Sequence, residues 1–365
     1  GEGQAYKRRS FVLQCWDLQS STCIAARELR RFGGMAINKT ASDGGLIAIL
    51  NPQYVRFYHL KVSQPLDDTS SVEIIGLDHR AADPDNGFMT LATFAEETHG
   101  LHFFSGASLV TKDSNGRLFI RDITRPQIST EIQNPELVQS TPLVDIIITR
   151  DFILALRLTT LEMYAFPSAG GSTNNAILEP VYVYKLPWRV DNAVMTIRRR
   201  PGVRKFNDIY VVLRFGSYYP WAINLLHHYE IRPNRFFNDG PISAVNLPYQ
   251  FPPVLQETIA SPVRLHATSD LAVGPYGTVL WTDSHTEDYF NHADRGQRLA
   301  GRFSTYIGDG DDDEVELSDQ IATASAASVY AYQEEDSWVR VALDEAEGRI
   351  ALGRDDGVIS ILEFI

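Results

Sequence analysis

The sequence predicts an all-β chain made by radial repetition of small antiparallel sheets: a single β-propeller spanning residues 1–365. Three observations predict it. The closing stretch, 337–365, reads as three short strands joined by tight turns. Similar strand sets recur along the chain at roughly 45–65-residue spacing, the interval of propeller blades once loops are added. No segment longer than about ten residues carries a convincing i, i+3, i+4, i+7 apolar face.

The closing meander is the clearest unit. Trp338–Leu343, Arg349–Gly353 and Val358–Phe364 alternate apolar and polar residues, the period of half-buried strands. Glu347-Gly348 and Asp356-Gly357 fall at the two reversals, where glycine takes positive φ at little cost. Three such strands are marginal alone, so they belong to something larger.

Taken in order, residues 7–30 hold Phe11–Leu18, a Gln-Ser-Ser turn and Thr22–Leu29, in which the Trp16-Asp17 pair and the following turn resemble two strands of a WD-repeat blade. Gly34–Asn38, Leu46–Leu50, Tyr54–Val62 and Val72–Leu77 form the next predicted set. Met89–Phe94, Ser108–Lys112 and Arg117–Ile123 follow, the last two joined by the hairpin sequence Asp-Ser-Asn-Gly. Then come Leu143–Thr149, Phe152–Leu158, Leu161–Phe166 and Val181–Leu186, with a Gly/Ser/Asn-rich loop at 168–175. Ala193–Arg199, Ile209–Phe215 and Ile223–Ile231 make another set, and Val263–Thr268, Leu271–Gly274 and Thr278–Thr282 one more. A short helix is allowed near Thr286–Leu299. The count is six four-stranded blades, or seven if the irregular 232–260 stretch hides one. The final meander lacks an outer strand, so Val358–Phe364 is expected to pair with a strand from residues 11–30 and close the ring.

Composition narrows the function. The chain holds 33 Lys and Arg against 46 Asp and Glu, a net charge of −13. That balance argues against a general nucleic-acid binder or a binder of anionic membranes. Two cysteines, Cys15 and Cys23, in so long a chain read as reduced thiols of an intracellular protein, cytoplasmic or nuclear. No apolar run approaches the ~18 residues of a membrane span, and no signal-peptide pattern opens the chain.

Two stretches are more specific. Leu271–Phe290 (LAVGPYGTVLWTDSHTEDYF) and Glu335–Gly353 (EDSWVRVALDEAEGRIALG), with the acidic Asp309–Glu316 between them, resemble the C-terminal WD-repeat-like region of F-box proteins expanded in basidiomycete fungi. The resemblance implies a propeller that holds a ubiquitination substrate for a Skp-cullin-F-box ligase. The Skp adaptor would be reached through an F-box that is missing from these residues, since nothing before residue 7 forms the small helical bundle an F-box needs.

The chemistry of catalysis is not visible. Nucleotide-binding glycine loops, Gly-x-Ser-x-Gly and His-Glu-x-x-His are all absent from the sequence. His285, Glu287, Asp288 and His292 are the densest set of metal-ligand types, but they follow a strand as a polar turn would, and no metal or cofactor is assigned to them. The acidic run Asp309–Glu316 lacks the ligand order of a calcium loop and reads as a solvated surface insertion at about 308–320. The strongest basic run is Arg198, Arg199, Arg200, Arg204 and Lys205, suited to an acidic peptide or a phosphate. Tyr218, Tyr219 and Trp221 make an aromatic turn, the residue types that anchor interfaces. These eight residues are the candidate partner-binding positions. The two groups lie at opposite ends of the predicted strand Ile209–Phe215, so no joint patch is expected. The function expected is a non-catalytic, monomeric protein-interaction propeller. The alternative is a glycan- or small-molecule-binding propeller, or a hydrolase on that scaffold.

Overall fold

The computed structural model describes residues 11–39, 47–51, 54–55, 64–65, 70–78, 80–95, 98–135, 141–166, 176–198, 206–215, 225–260, 270–284, 296–302, 324–326, 328–335 and 337–364. These are all-β apart from one 3-10 turn at Pro84–Asn86. Among them no helix is long and apolar enough to cross a membrane. They group into two compact units, one of Gly1–Ser140 with Phe166–Pro180, the other of Thr141–Ala165 with Val181–Ile365.

The first unit opens with a hairpin of β1 (Phe11–Asp17) and β2 (Thr22–Leu29). Asp17 makes its turn, accepting from the backbone N–H groups of Gln19 and Ser20. The Trp16-Asp17 pair therefore serves a turn, and the Trp16 ring is half exposed. Cys15 and Cys23 are free thiols, with burial and then the neighbouring Cys23 pushing the Cys15 thiol up.

Sheet 1 follows, with β3 (Gly34–Ile37), β4 (Ile47–Asn51), β7 (Ser71–Leu77) and β8 (Phe88–Ala95) side by side, and a two-residue ribbon of β5 (Tyr54–Val55) and β6 (Gln64–Pro65) between β4 and β7. The hairpin packs on it through Leu13, Leu29 and Phe32 against Ile49, Ile75 and Phe88. At Gly87 a Cβ would sit 2.5 Å from Ile24 O and 2.6 Å from Ala25 Cβ, so only glycine allows this approach. Sheet 2 is β9 (Gly100–Ser105), β10 (Ser108–Lys112), β11 (Leu118–Asp122) and β12 (Arg125–Ile132), and Phe104 and Leu109 bury it against Leu50, Val72 and Ile74 of sheet 1.

In the second unit, β13 (Leu143–Ile148), β14 (Phe152–Arg157) and β15 (Thr160–Ala165) open sheet 3. The chain then lays β16 (Ala176–Leu178) parallel to β12, as a fifth strand of sheet 2, and returns as β17 (Tyr182–Lys185). Sheet 4 is β18 (Val190–Ile197), β19 (Ile209–Phe215), β20 (Leu225–Ile231) and β21 (Val254–Ala260). Sheet 5 begins with β22 (Leu271–Val273), β23 (Val279–Ser284) and β24 (Gln297–Arg302). The same detour recurs, with β25 (Ala324–Ala326) parallel to β21 before β26 (Ser328–Gln333) completes the sheet. Each added strand covers an edge that would otherwise present unpaired backbone groups. Sheet 6 is β27 (Trp338–Asp344), β28 (Arg349–Arg354) and β29 (Ile359–Glu363).

Position in the sheet explains composition. β14 is buried along its whole length and β19 up to Phe215, side chains of both faces included, and their sequences are nearly continuous apolar runs. β29 has no strand beyond it among the described residues, and it alternates exposed and half-buried positions. Successive sheets of the second unit pack face to face. Leu154, Leu156 and Met163 of sheet 3 meet Val211 and Leu213 of sheet 4, and Val212 and Ile259 meet Val279 and Trp281 of sheet 5. Leu280 and Leu299 then meet Val341 and Leu352 of sheet 6. Side-chain carboxylates tie first strands across these boundaries, as Asp145 Oδ2 accepts from Met195 N at 2.6 Å and Asp270 Oδ2 from Val341 N at 2.7 Å.

Sheet 3 also buries a polar network. Glu162 accepts from Arg157 Nε (2.8 Å), Thr160 Oγ1 (2.8 Å) and the Tyr164 hydroxyl (2.5 Å), and Arg157 Nη1 donates to Thr141 O. Burial, then the Glu162 charge, pushes the Tyr164 hydroxyl far above its ordinary value.

The structure bears on several of these expectations. The six sheets are six blades' worth of strands, and 232–260 hides no seventh: its end is β21, and the rest is an ordered connection. β9, β12 and β21 are strands where none was predicted. The part of the allowed helix at Gln297–Leu299 is strand β24. Val263–Thr268 and Asp309–Glu316 lie outside the described residues. β1 and β2 pair with each other in a sheet of their own, and no described residue pairs either of them with β29.

Candidate partner-binding site

The registers of sheet 4 fix what lies at each of its two ends. Val190 faces Phe215 and Arg214 faces Leu226, so the 186–189 turn and the chain beyond Phe215 lie at one end. Trp188 stands there, 68% exposed. At the other end Ile197 faces Ile209, and Ile209 faces Ile231. That end carries Arg198, residues 206–208 and the 232–253 connection.

Arg198 is held in place. Its backbone N–H donates to Asp208 O at 2.9 Å, and its guanidinium carbon lies 5.3 Å from the centre of the Tyr210 ring. Tyr210 stands edge-on to His228 at 4.6 Å, and His228 Nδ1 lies 3.5 Å from Glu257. Arg302 of sheet 5 reaches the other Glu257 oxygen at 2.6 Å. Glu230 accepts from Arg232 Nε and Gln256 Nε2. Glu230 and Glu257 are thus engaged, while Arg198 stacks on a ring. Toward the opposite end, burial holds His227, whose ring lies 5.0 Å from that of Phe215, below the usual imidazole value.

Of the predicted positions only Arg198 is described. Arg199, Arg200, Arg204, Lys205, Tyr218, Tyr219 and Trp221 lie outside the described residues, as do His285, Glu287, Asp288 and His292. Among the described residues no group of three or more His, Cys, Asp or Glu is placed to hold a metal. An apolar cavity of about 10 Å³ between sheets 3 and 4, lined by Leu156, Leu161, Tyr184, Val211 and others, is only water-sized.

The sequence missed the 232–253 connection. It is fastened to the Arg198 end by rings: Phe206 contacts Phe237 and Tyr249, Tyr249 contacts Phe152, and the Tyr249 hydroxyl donates to Asn207 O at 2.9 Å. A loop of this length without its own secondary structure is itself a functional signal.

The chain is similar to the β-propeller domain of Cps50 (Swd1) from Myceliophteria thermophila, 11% identical over 97% of this chain and 90% of that one, with a TM-score of 0.53. KlAtg21, solved with the coiled-coil of AgAtg16, is 9% identical over 92% of this chain and 81% of its own, with a TM-score of 0.48. Hsv2 from Kluyveromyces lactis is 9% identical over 90% and 75%, with a TM-score of 0.43. No family model and no curated protein matches the chain. The likeness to the Cps50 domain, with the six successive sheets, defines the fold as a WD40-type β-propeller with six blades.

Proposed function

We propose that this chain is a non-catalytic protein-interaction propeller, and more narrowly the substrate-recognition propeller of an F-box ubiquitin ligase subunit. The observation that carries the interaction reading is the charge reversal at the Arg198 end of sheet 4. The segments that join the strands at that end, 198–208 and 231–253, hold seven Lys and Arg against two Asp and Glu in a chain whose net charge is −13. A local field opposite to the average steers acidic ligands. The site is proposed to engage an acidic or phosphorylated segment of a partner, with affinity falling as salt rises. The narrower ligase reading rests on the resemblance of Leu271–Phe290 and Glu335–Gly353 to fungal F-box proteins.

A pull-down from lysate of the source organism tests the site. Wild type is expected to retain partners that a variant with Arg198, Arg199, Arg200 and Arg204 changed to Ser loses. Identical bound proteins with identical salt dependence overturn it. The ligase reading is tested on the coding sequence upstream of Gly1, where an F-box supports it and a signal peptide favours the glycan-binding or hydrolase alternative.

Ring closure by the chain ends belongs to this proposal. Val358, Ile359 and Ile361 near the β29 edge and Phe11, Val12 and Trp16 of β1 are exposed apolar residues at unpaired edges, the liability that pairing removes. Deleting residues 1–30 is expected to cause aggregation. A soluble monomer with an unchanged melting temperature would show that the ends do not pair.

A further inference from the structure

The 232–253 connection displays apolar side chains where a surface loop has no structural use for them. Phe236 is 90% exposed and Val245 97%, the two highest values among the large hydrophobic residues described. Both sit at turn corners. Phe237 N donates to Asn234 O at 3.1 Å, which puts Arg235 and Phe236 at the first corner. Ser243 and Asn246 exchange N–H···O bonds of 3.2 and 3.0 Å, which puts Ala244 and Val245 at the second.

Three asparagines lock the two turns into one frame. Asn234 donates from its backbone to Pro248 O (2.9 Å) and from its side chain to Leu247 O (2.8 Å). Asn246 Nδ2 donates to Asn238 Oδ1 (2.9 Å) and to Pro241 O (3.1 Å), and Asn238 N donates back to Asn246 Oδ1 (3.1 Å). The buried Tyr249 pins the frame to the residues that follow the basic run. The corners are therefore pre-ordered, and a partner meeting them pays little of the usual entropic cost of fixing a loop. Rigid exposed anchors beside cations are the makings of an interface hot spot.

We propose that the Arg198 end of sheet 4 docks an acidic partner segment that also carries large apolar side chains. Arg198 and the exposed Arg235 take its carboxylates, and Phe236 and Val245 take its apolar groups. This rests on the reading that the Arg198 end binds acidic segments, and it adds what that reading lacks: a requirement for apolar residues in the ligand. The occupant follows from charge, since the cations of 198–208 and 231–253 outnumber the acids there by more than three to one.

The test uses fluorescence anisotropy of two labelled peptides, one interleaving Asp and Glu with Leu and Phe, the other with Ser in place of each Leu and Phe. The proteins are wild type, the double variant Phe236→Ser/Val245→Ser, and the variant with Arg198, Arg199, Arg200 and Arg204 changed to Ser. Both side chains of the double variant are solvent-exposed, so an unchanged melting temperature is expected of it. The double variant is expected to bind the apolar-acidic peptide about tenfold more weakly than wild type, and the Ser-containing peptide equally well. The arginine variant is expected to weaken both. If the arginine variant alone loses binding, the apolar half is overturned and the acidic-segment reading stands. If wild type binds neither peptide, both fall. Binding to phosphatidylserine vesicles that the double variant loses, with no peptide binding, assigns the corners to a membrane and overturns the proposal.

Discussion

Replacing Glu162 by alanine is expected to lower the unfolding free energy by about 3–5 kcal/mol, the cost of breaking a buried ion pair by removing one partner. Glu162 is fully buried and Arg157 is 3% exposed. The carboxylate is the shared acceptor of Arg157, Thr160 and Tyr164, so alanine strands a buried cation and two hydroxyls at once. Burial alone would lower the Arg157 pKa, but the Glu162 carboxylate, with Tyr164 beside it, more than offsets that and holds the guanidinium charged. Against a total stability on the order of 5–15 kcal/mol, such a loss is large. Chemical denaturation of wild type and E162A measures it. A combined R157M/E162L/Y164F chain is expected to recover much of the loss, because replacing all charged partners by apolar groups removes the desolvation cost as well as the attraction. An E162A chain within about 0.5 kcal/mol of wild type, the usual scale of a surface substitution, would show that the network carries no stability.

Which parts of the fold were legible follows from how locally each is determined. The hairpins at Glu347-Gly348, Asp356-Gly357 and Asp113–Gly116 were found because the turn is written in the turn itself. Gly348, Gly357 and Gly116 have φ of 65°, 88° and 82°, and Asp113 accepts from Asn115 N and Arg117 N. β14 and β19 were found because burial on both faces leaves an apolar run. β12 and β21 were missed for the opposite reason. Arg125-Pro-Gln-Ile-Ser-Thr-Glu-Ile and Val254-Leu-Gln-Glu-Thr-Ile-Ala are polar strands, each the fourth in its sheet, and their pairing is decided by the strand already in place. β16 and β25 have three residues each and pair in parallel with strands far away in sequence, a contact that no local pattern encodes.

The candidate site divides in the same way. A run of cations is visible in any sequence, and Arg198, its one described member, directly follows β18. Phe236 and Val245 were invisible because Phe and Val normally signal a core, and only coordinates reveal that these two point outward. The missed signal was the spacing of Asn234, Asn238 and Asn246, residues that hydrogen-bond backbone in turns, around a Gly-Pro step at 240–241.

Trp281→Ala is expected to cost about 3–5 kcal/mol, the range for removing a large aromatic side chain from a core. Trp281 is 1% exposed and sits between sheets 4 and 5, packed with Val212, Leu226, Ile259, Val279 and Ala300. The backbone around it leaves little freedom to collapse into the void. At Gly301, the residue after its cross-strand partner Ala300, a Cβ would meet Leu280 Cδ2 at 2.4 Å and Val279 O at 2.7 Å. A rigid surround keeps the cavity open, which places the loss toward the upper part of that range. Trp281→Phe retains part of the ring contact and is expected to fall between alanine and wild type. Trp188→Ala serves as the comparison, since its ring is 68% exposed at the end of sheet 4 and its loss should stay within about 0.5 kcal/mol. Denaturation midpoints of the three variants separate burial from residue type: equal losses for Trp281→Ala and Trp188→Ala would mean that Trp281 does not hold sheets 4 and 5 together.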